Sequence, residues 1–584
     1  MNRFISFIEN KIMIVLITGV AILFVLSIWE KMLADEAMSL GRAAVQALTL
    51  DAPEDGFTLY LRFVVNITLA WAVIRVYIAS AGLSFDRLVA RRFSRDHTVI
   101  IAEDDTLDYS ARQIGRNNFY LAYDLALNKA NTSTVVLVVP SIADDKRTRL
   151  WNAGIKVIDY QKNIQNMLID AGTNRAKTLL SMRASFDENL AICRVALSPQ
   201  LANESLTVFC QVPTQGERRR FNPEFYYDAK TLVRFRSFNE SQMIARDLLR
   251  RFPPDAASNP LDDAPVHIGL LGFGEIGQAI VEQFARIGHY RNGQKAVVSI
   301  FAKDLEAQWQ SVVQELPAIA DWLEIRCYEC SEKSDFRITR EALNGMQRAY
   351  VCHINEVVNL RISKALVDLQ SDNTEVPQIG LDVVAIDPPG GIVLGDFWAN
   401  GRHQGHFHLY SLASSNVIQE GGDSSSLLSR EIDRRARLLH DAYVEKELAK
   451  AAQDPTVQLR PNVRPWEELP ENIRDSNRVV ADHFEVKVRA IGCVLADADM
   501  GNETEITSSE LEDLAIMEHN RWWADRALNG WKYGPDRIEA EKIHPNMVPY
   551  DSLTEEDKQK DRDFVLGIVN IFRQDGLIVA RVDA

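Results

Sequence analysis

The apolar run Val266-His-Ile-Gly-Leu-Leu271 passes directly into Gly272-Phe-Gly-Glu-Ile-Gly277, and a helical stretch, 278–287, follows. Strand, glycine turn and helix in that order admit few folds. The first glycine allows the tight turn, the second lets a phosphate approach the backbone, and the third lets helix and strand pack closely. The pattern predicts an α/β unit with a doubly wound parallel sheet. The next apolar strand, 296–301, ends near Asp304, an acid placed to hold a ribose. The interval exceeds the usual roughly 20 residues, because 288–294 adds a loop. Gly272, Gly274, Glu275, Gly277 and Asp304 are therefore the candidate cofactor-binding residues, and NAD or another nucleotide is the candidate cofactor. The alternative is a fold relic that keeps the turn and binds nothing.

The same rhythm begins earlier. Thr98-Val-Ile-Ile-Ala102, Val135-Val-Leu-Val-Val139 and Lys156-Val-Ile-Asp159 read as buried strands, with an amphipathic helix over 108–128. Where a glycine turn should follow the first strand, the chain has Glu103-Asp-Asp105. Carboxylates suit a helix N-terminus, but they repel a phosphate from the same place. The second strand ends in Pro140-Ser141, with no acid for a ribose. This first unit is expected to keep the fold without a nucleotide site.

Two apolar stretches precede it. Residues 12–29 carry no charge and match the roughly 20 residues that cross a bilayer. Residues 57–83 form a second candidate span, with Arg62 and Arg75 placed to snorkel. Arg87, Arg91, Arg92 and Arg95 crowd behind it, whereas the intervening loop is mostly acidic. The positive-inside rule then places both termini in the cytoplasm of a two-pass inner-membrane protein. Residues 39–50 could form a pore helix, but Asp51-Ala-Pro-Glu-Asp-Gly56 is no potassium filter, which needs a glycine-rich carbonyl run.

At 584 residues the chain exceeds one core. Its net charge of -16 argues against nucleic acid as a partner. Cysteine is sparse. Cys327 and Cys330 form a CxxC without the second pair that zinc needs, and read as two thiols at a strand end. His403, His406 and His408 have loose spacing and no acid or cysteine to complete a metal shell, so no metal site is expected.

After Gly421-Gly-Asp-Ser-Ser-Ser426 the texture turns helical. Helices are expected over 428–451 and 472–489, and a capped helix begins at Ser508-Ser-Glu510. Leu511, Leu514, Ala515, Glu518 and Trp522 share one face of it. A carboxylate there needs a cationic partner, with Arg521, Arg526 and Arg537 as candidates. Trp523, Trp531, Tyr533 and Tyr550 add flat aromatic surface. Rings can stack on a base while guanidinium groups hold phosphate. Glu518, Arg521, Trp522, Trp531, Tyr533, Arg537 and Tyr550 are the candidate ligand-binding set. The competing reading makes the aromatics the core of a small helical domain.

Two families resemble parts of this chain. Met517-Glu-His-Asn-Arg-Trp-Trp523, Gly530-Trp-Lys-Tyr-Gly-Pro535 and His544-Pro-Asn-Met-Val-Pro-Tyr-Asp-Ser-Leu553 resemble the RyR domain, the ryanodine receptor repeat also found in bacterial proteins. Arg464-Pro-Trp-Glu-Glu-Leu-Pro470 resembles its companion segment. The tandem βαβ units, with Gly272, Gly274, Gly277 and Asn152-Ala-Gly-Ile-Lys-Val-Ile158, resemble the RCK (TrkA-N-type) regulatory domains of ion channels and potassium transporters. That likeness implies a homo-oligomer, dimer or tetramer. The expected organisation is a two-helix transmembrane module (1–96), a degenerate RCK-like domain (97–260), a second with GxGxxG (261–420) and a mostly α-helical RyR domain (421–584). The expected function is a non-enzymatic, channel-like membrane sensor of a cytoplasmic nucleotide or other small molecule. A membrane-anchored NAD-dependent oxidoreductase and a non-conducting tethered scaffold are the rivals.

Overall fold

The computed structural model describes residues 82–104, 122–123, 125–127, 133–201, 203–257, 263–330, 340–353, 356–371, 382–387, 407–411, 433–454, 456, 458–499 and 503–581. The first expected membrane span, all but the last two residues of the second, segment 39–56, most of the expected 108–128 helix, linker 421–426, His403 and His406 lie outside them. Among the described residues no helix is long and apolar enough to cross a membrane.

The first unit contains α1 (Gly82–Phe93), β1 (Thr98–Ala102), β2 (Val135–Val139), α2 (Asp144–Asn152), β3 (Lys156–Asp159), α3 (Ile164–Asp170), β4 (Thr178–Met182), α4 (Phe186–Ala196), β5 (Thr207–Gln211), α5 (Gln215–Arg220), β6 (Phe235–Phe238) and α6 (Glu240–Arg251). Its strands pair in parallel in the order β3-β2-β1-β4-β5-β6. β1 and β2 are buried at every residue. A strand covered on both faces has no polar side to alternate with, which is why TVIIA and VVLVV run unbroken.

The second unit repeats the plan with β7 (His267–Leu271), α7 (Glu275–Ile287), β8 (Ala296–Ala302), α8 (Leu305–Glu315), β9 (Leu323–Glu329), β10 (Arg348–Val351), α9 (Glu356–Ser371), β11 (Asp382–Asp387) and β12 (Phe407–Ser411). Its order, β12-β11-β10-β7-β8-β9, is the same Rossmann-type topology. One side chain marks the repeat. Asn189 donates to the Arg183 and Gln211 carbonyls, and Asn359 donates to the His353 and Ile386 carbonyls. Each latches the fourth strand's exit to the fifth strand. Both stand in an Asn-Leu-x-Ile frame.

α1 lies against edge strand β3. The Val157 N–H donates to Asp86 at 3.1 Å, while Arg87 and Arg91 approach Asp170 at 3.5 and 3.8 Å. Gly172 has φ +68°, and a Cβ there would overlap the Ala90 carbonyl. The helix is thus seated close to the sheet.

The C-terminal unit is helical: α10 (Arg434–Gln453), α11 (Glu471–Asp482), α12 (Phe484–Ala490), β13 (Cys493–Asp497), α13 (Ser508–Leu528), β14 (Lys532–Tyr533), β15 (Ile543–His544), α14 (Glu555–Gln574) and β16 (Leu577–Arg581). The single helix expected over 472–489 is two, because the chain turns at His483, whose ring bonds the His289 carbonyl at 3.0 Å. α13 is capped by Thr507, in a reciprocal box with Glu510. One apolar core runs through all three units, from Leu137 and Leu248 through Phe284 to Phe484 and Phe572. α7 lies at its centre, between α6 on one side and α11 and α13 on the other.

Candidate ligand-binding site

The glycine turn has the geometry its spacing implies. Gly272 sits at φ +113°, and a Cβ there would come within 2.8 Å of the His353 nitrogen. A Cβ on Gly277 would lie 2.5 Å from the Gly272 carbonyl oxygen. These two glycines are required by close backbone approach inside the protein. Gly274 is different. It is exposed, opens α7 as its N-cap, and a Cβ there would meet nothing within 4 Å. The open space lies where the first N–H groups of a helix point, a place suited to an anion.

The two acids of the set behave differently. Glu275 accepts the Gln215 N–H at 2.7 Å, capping α5 of the first unit. It ties two units together instead of facing a phosphate. Asp304 follows β8, exposed and at φ +52°, with its N–H donated to Glu329 at 2.5 Å. Its position at the second strand's exit suits a ribose ligand.

The matching crevice of the first unit is filled. Glu103 accepts the Ala184 N–H at 2.8 Å and pairs with Arg183 at 2.7 Å. Arg183 also donates to the Ala102 carbonyl and lies 4.4 Å from the Tyr160 ring centroid. The carboxylate that stands in place of a glycine turn thus closes the switch point from within.

In the C-terminal unit the residue set divides. Glu518 and Arg521 are buried in an ionic cluster. Arg521 donates to Glu518 at 2.8 and 3.0 Å, and Lys487 donates to the same carboxylate at 2.8 Å. Burial alone would raise the Glu518 carboxyl, but the Arg521 and Lys487 charges outweigh it and hold it at about 2. Of the three candidate partners Arg521, Arg526 and Arg537, it is Arg521, three residues on, that pairs with Glu518. Lys487 comes from another helix, and nothing in the sequence marked it. Tyr550 is buried, with its ring near His519 and Lys558. Trp522 and Trp531 are half-buried on either side of His544, and Arg526 covers Trp531 at 4.8 Å. Tyr533 and Arg537 are exposed, and Arg537 pairs with Glu539. Trp522 and Trp531 thus form a half-buried wall, with Tyr533 at the surface, while Tyr550, Glu518 and Arg521 lie inside the core.

Sequence reasoning missed a cavity of about 550 Å³ where the three units meet. Eight arginines and Lys542 line it, against five carboxylates. Most of the arginines are paired: Arg218 and Arg219 with Glu282, and Arg478 with Asp433. Arg236 is not. Its donors go to the backbone carbonyls of Leu232, Phe235 and Glu467. Burial, then the Arg474 charge, pull it down to about 9. The run Arg218-Arg-Arg220 was the one visible signal.

The fold defined here is a pair of parallel Rossmann-type α/β units joined to a helical unit. Residues 504–581 match the family model of the RyR domain, so the C-terminal unit contains an RyR domain. No curated protein matches the chain. Among solved structures, the GsuK channel aligns at 14% identity over 70% of this chain and 96% of its own, with a TM-score of 0.34. A Leishmania major Friedlin protein described as an aspartate carbamoyltransferase aligns at 12% identity over 54% and 77%, with a TM-score of 0.24. Neither superposition is close enough to carry an argument about function.

Proposed function

We propose that this chain is a non-enzymatic, ligand-responsive membrane protein of ion-channel-like architecture, whose RCK-like second unit binds a nucleotide at the glycine turn. The observation that supports this reading is the course of α7. It begins at the open Gly274 cradle, and its buried later turns touch both neighbours. Glu282 pairs with Arg218 and Arg219 of the first unit. Gln283 donates to Asp482 of the C-terminal unit at 2.8 Å, and Arg286 pairs with Asp525. An anion seated on the α7 N-terminus would act directly on the element that the other two units grip. α1, which follows the expected second span, lies against the first sheet and offers a route to the membrane module. Transmission requires different ligand affinity in two states of the assembly. RCK-type architecture suits a homo-oligomer at the inner membrane.

Gly272–Gly277 backbone groups would hold the pyrophosphate and Asp304 the ribose. The test is calorimetric titration of the full chain in nanodiscs with NAD and with ATP, paired with ion flux from liposomes. Binding that Gly274→Asp abolishes, with flux that responds to the same ligand, is the expected result. Unaltered binding in that variant would remove the glycine turn from the account, and ligand-independent behaviour in every flux assay would remove the channel.

A further inference from the structure

We infer that the arginine-lined cavity at the junction of the three units is a second ligand site, for a phosphate-bearing molecule of nucleotide size. This inference does not depend on the glycine turn.

Charge is the first argument. The chain carries a net -16, yet the cavity wall holds nine cationic side chains and five carboxylates. Seven of the eight arginines have a carboxylate partner among the described residues, some from just outside the wall, which leaves Arg236 as the arginine without one. Arg236 makes the point locally. Among the described residues it forms no ion pair, and the positive charges of Arg474, Arg478 and Arg437 around it are offset only in part by Glu471. An anion in the cavity would relieve that repulsion.

The second argument is an unused donor. The Arg219 side chain is only 5% exposed, and its Nη2 is buried without a hydrogen-bond partner, although its Nε and Nη1 serve Glu282 and Glu315. Arg437 likewise leaves a buried Nε unpaired. Buried donors are normally satisfied. Both residues line the cavity, so an occupant with phosphate oxygens could take up these donors by a turn of the guanidinium groups.

The third argument is shape and chemistry. About 550 Å³ falls inside the range of roughly 300–1,000 Å³ common for small-molecule pockets. Arg236 and Phe238 are two residues apart on β6, so they share a face. Both line the cavity, as does Phe221, and neither ring is fully buried. Guanidinium beside a partly open aromatic ring matches a phosphate next to a base. The walls come from all three units, so an occupant would bind them together and raise the stability of the assembled state.

The test uses the full chain in nanodiscs, with ATP and inorganic tripolyphosphate as probes, in the Gly274→Asp background that closes the glycine turn. ATP is expected to bind one equivalent there and to raise the melting temperature, with tripolyphosphate competing. Adding Arg236→Gln and Arg437→Gln should weaken ATP by about tenfold or more, the scale of a lost hydrogen bond to a charged group. Lys542→Glu, an exposed residue at the cavity wall, should weaken it in the same direction and serves if the double variant does not fold. Absence of ATP binding in the Gly274→Asp background, or binding indifferent to the cavity substitutions, would overturn the inference. Binding lost only on closing the glycine turn would leave the first site standing and remove this one.

Discussion

The Glu275 carboxylate accepts the Gln215 N–H at 2.7 Å, so the first turn of the helix opened by the glycine turn caps a helix of the neighbouring unit. The ligand cradle and the inter-unit contact are therefore one residue apart. α5 keeps its Thr214–Glu217 capping box, so Glu275→Ala should remove only the bond to the Gln215 N–H and cost about 1 kcal/mol. Urea denaturation measures it. An unchanged midpoint would mean the contact is replaced by water at no cost.

The three glycines should separate cleanly. Gly272→Ala places a side chain at φ +113° against His353, and Gly277→Ala drives one into the Gly272 carbonyl. Each should lose about 1–3 kcal/mol, the scale of local backbone strain. Gly274→Ala meets open space at φ -73° and should fold as well as the parent. Its defect, if any, belongs in ligand titration. Thermal melts of the three variants decide this, and equal destabilisation at Gly274 would contradict the open cradle.

Glu518→Gln leaves Lys487 and Arg521 buried without their shared carboxylate. Removing one partner of a buried ionic group costs about 3–5 kcal/mol. Chemical denaturation should register that loss, accompanied by disorder in α12 and α13 by hydrogen exchange. A loss below about 1 kcal/mol, the scale of a surface pair, would place the cluster in contact with solvent.

The same cluster fixes the acid limit of stability. Unfolded, Glu518 takes up its proton near its ordinary 4.5; folded, near 2. Between those values the unfolded chain holds more protons, so stability rises with pH across that window. The contribution is complete above about pH 4.5 and drains away as pH falls towards 2. Glu282, buried among Arg218, Arg286 and Arg219, is likewise held below the usual carboxylate range and adds in the same direction. Melts from pH 6 to pH 2.5 should show the decline, and Glu518→Gln should flatten it.

Tyr533, the last residue of β14, is 62% exposed. Tyr533→Ala should change stability by no more than about 0.5 kcal/mol. A fall in affinity for an aromatic ligand without a stability change would assign it to a binding surface; a large loss of stability would show that the strand packs against more than the described contacts.

Much of the architecture was legible because its signals are local. β1 and β2 fall where apolar runs put them, since a strand buried on both faces has no polar side. The glycine turn was legible because steric need for a missing Cβ is written at single positions. So was the RyR stretch, and so was the need of Glu518 for a cationic partner, although Arg521, Arg526 and Arg537 stood equally open. What the tertiary structure decided is who meets whom across long separations. Lys487 reaches Glu518 from another helix, Glu275 turns to Gln215 instead of a ligand, and Glu103 closes the first crevice by meeting Arg183. The cavity arginines come from 218–246, 286 and 437–478, with no shared period or motif. Their convergence depends on how three units pack around α7, and packing is a property of surfaces in space that no spacing along the chain records.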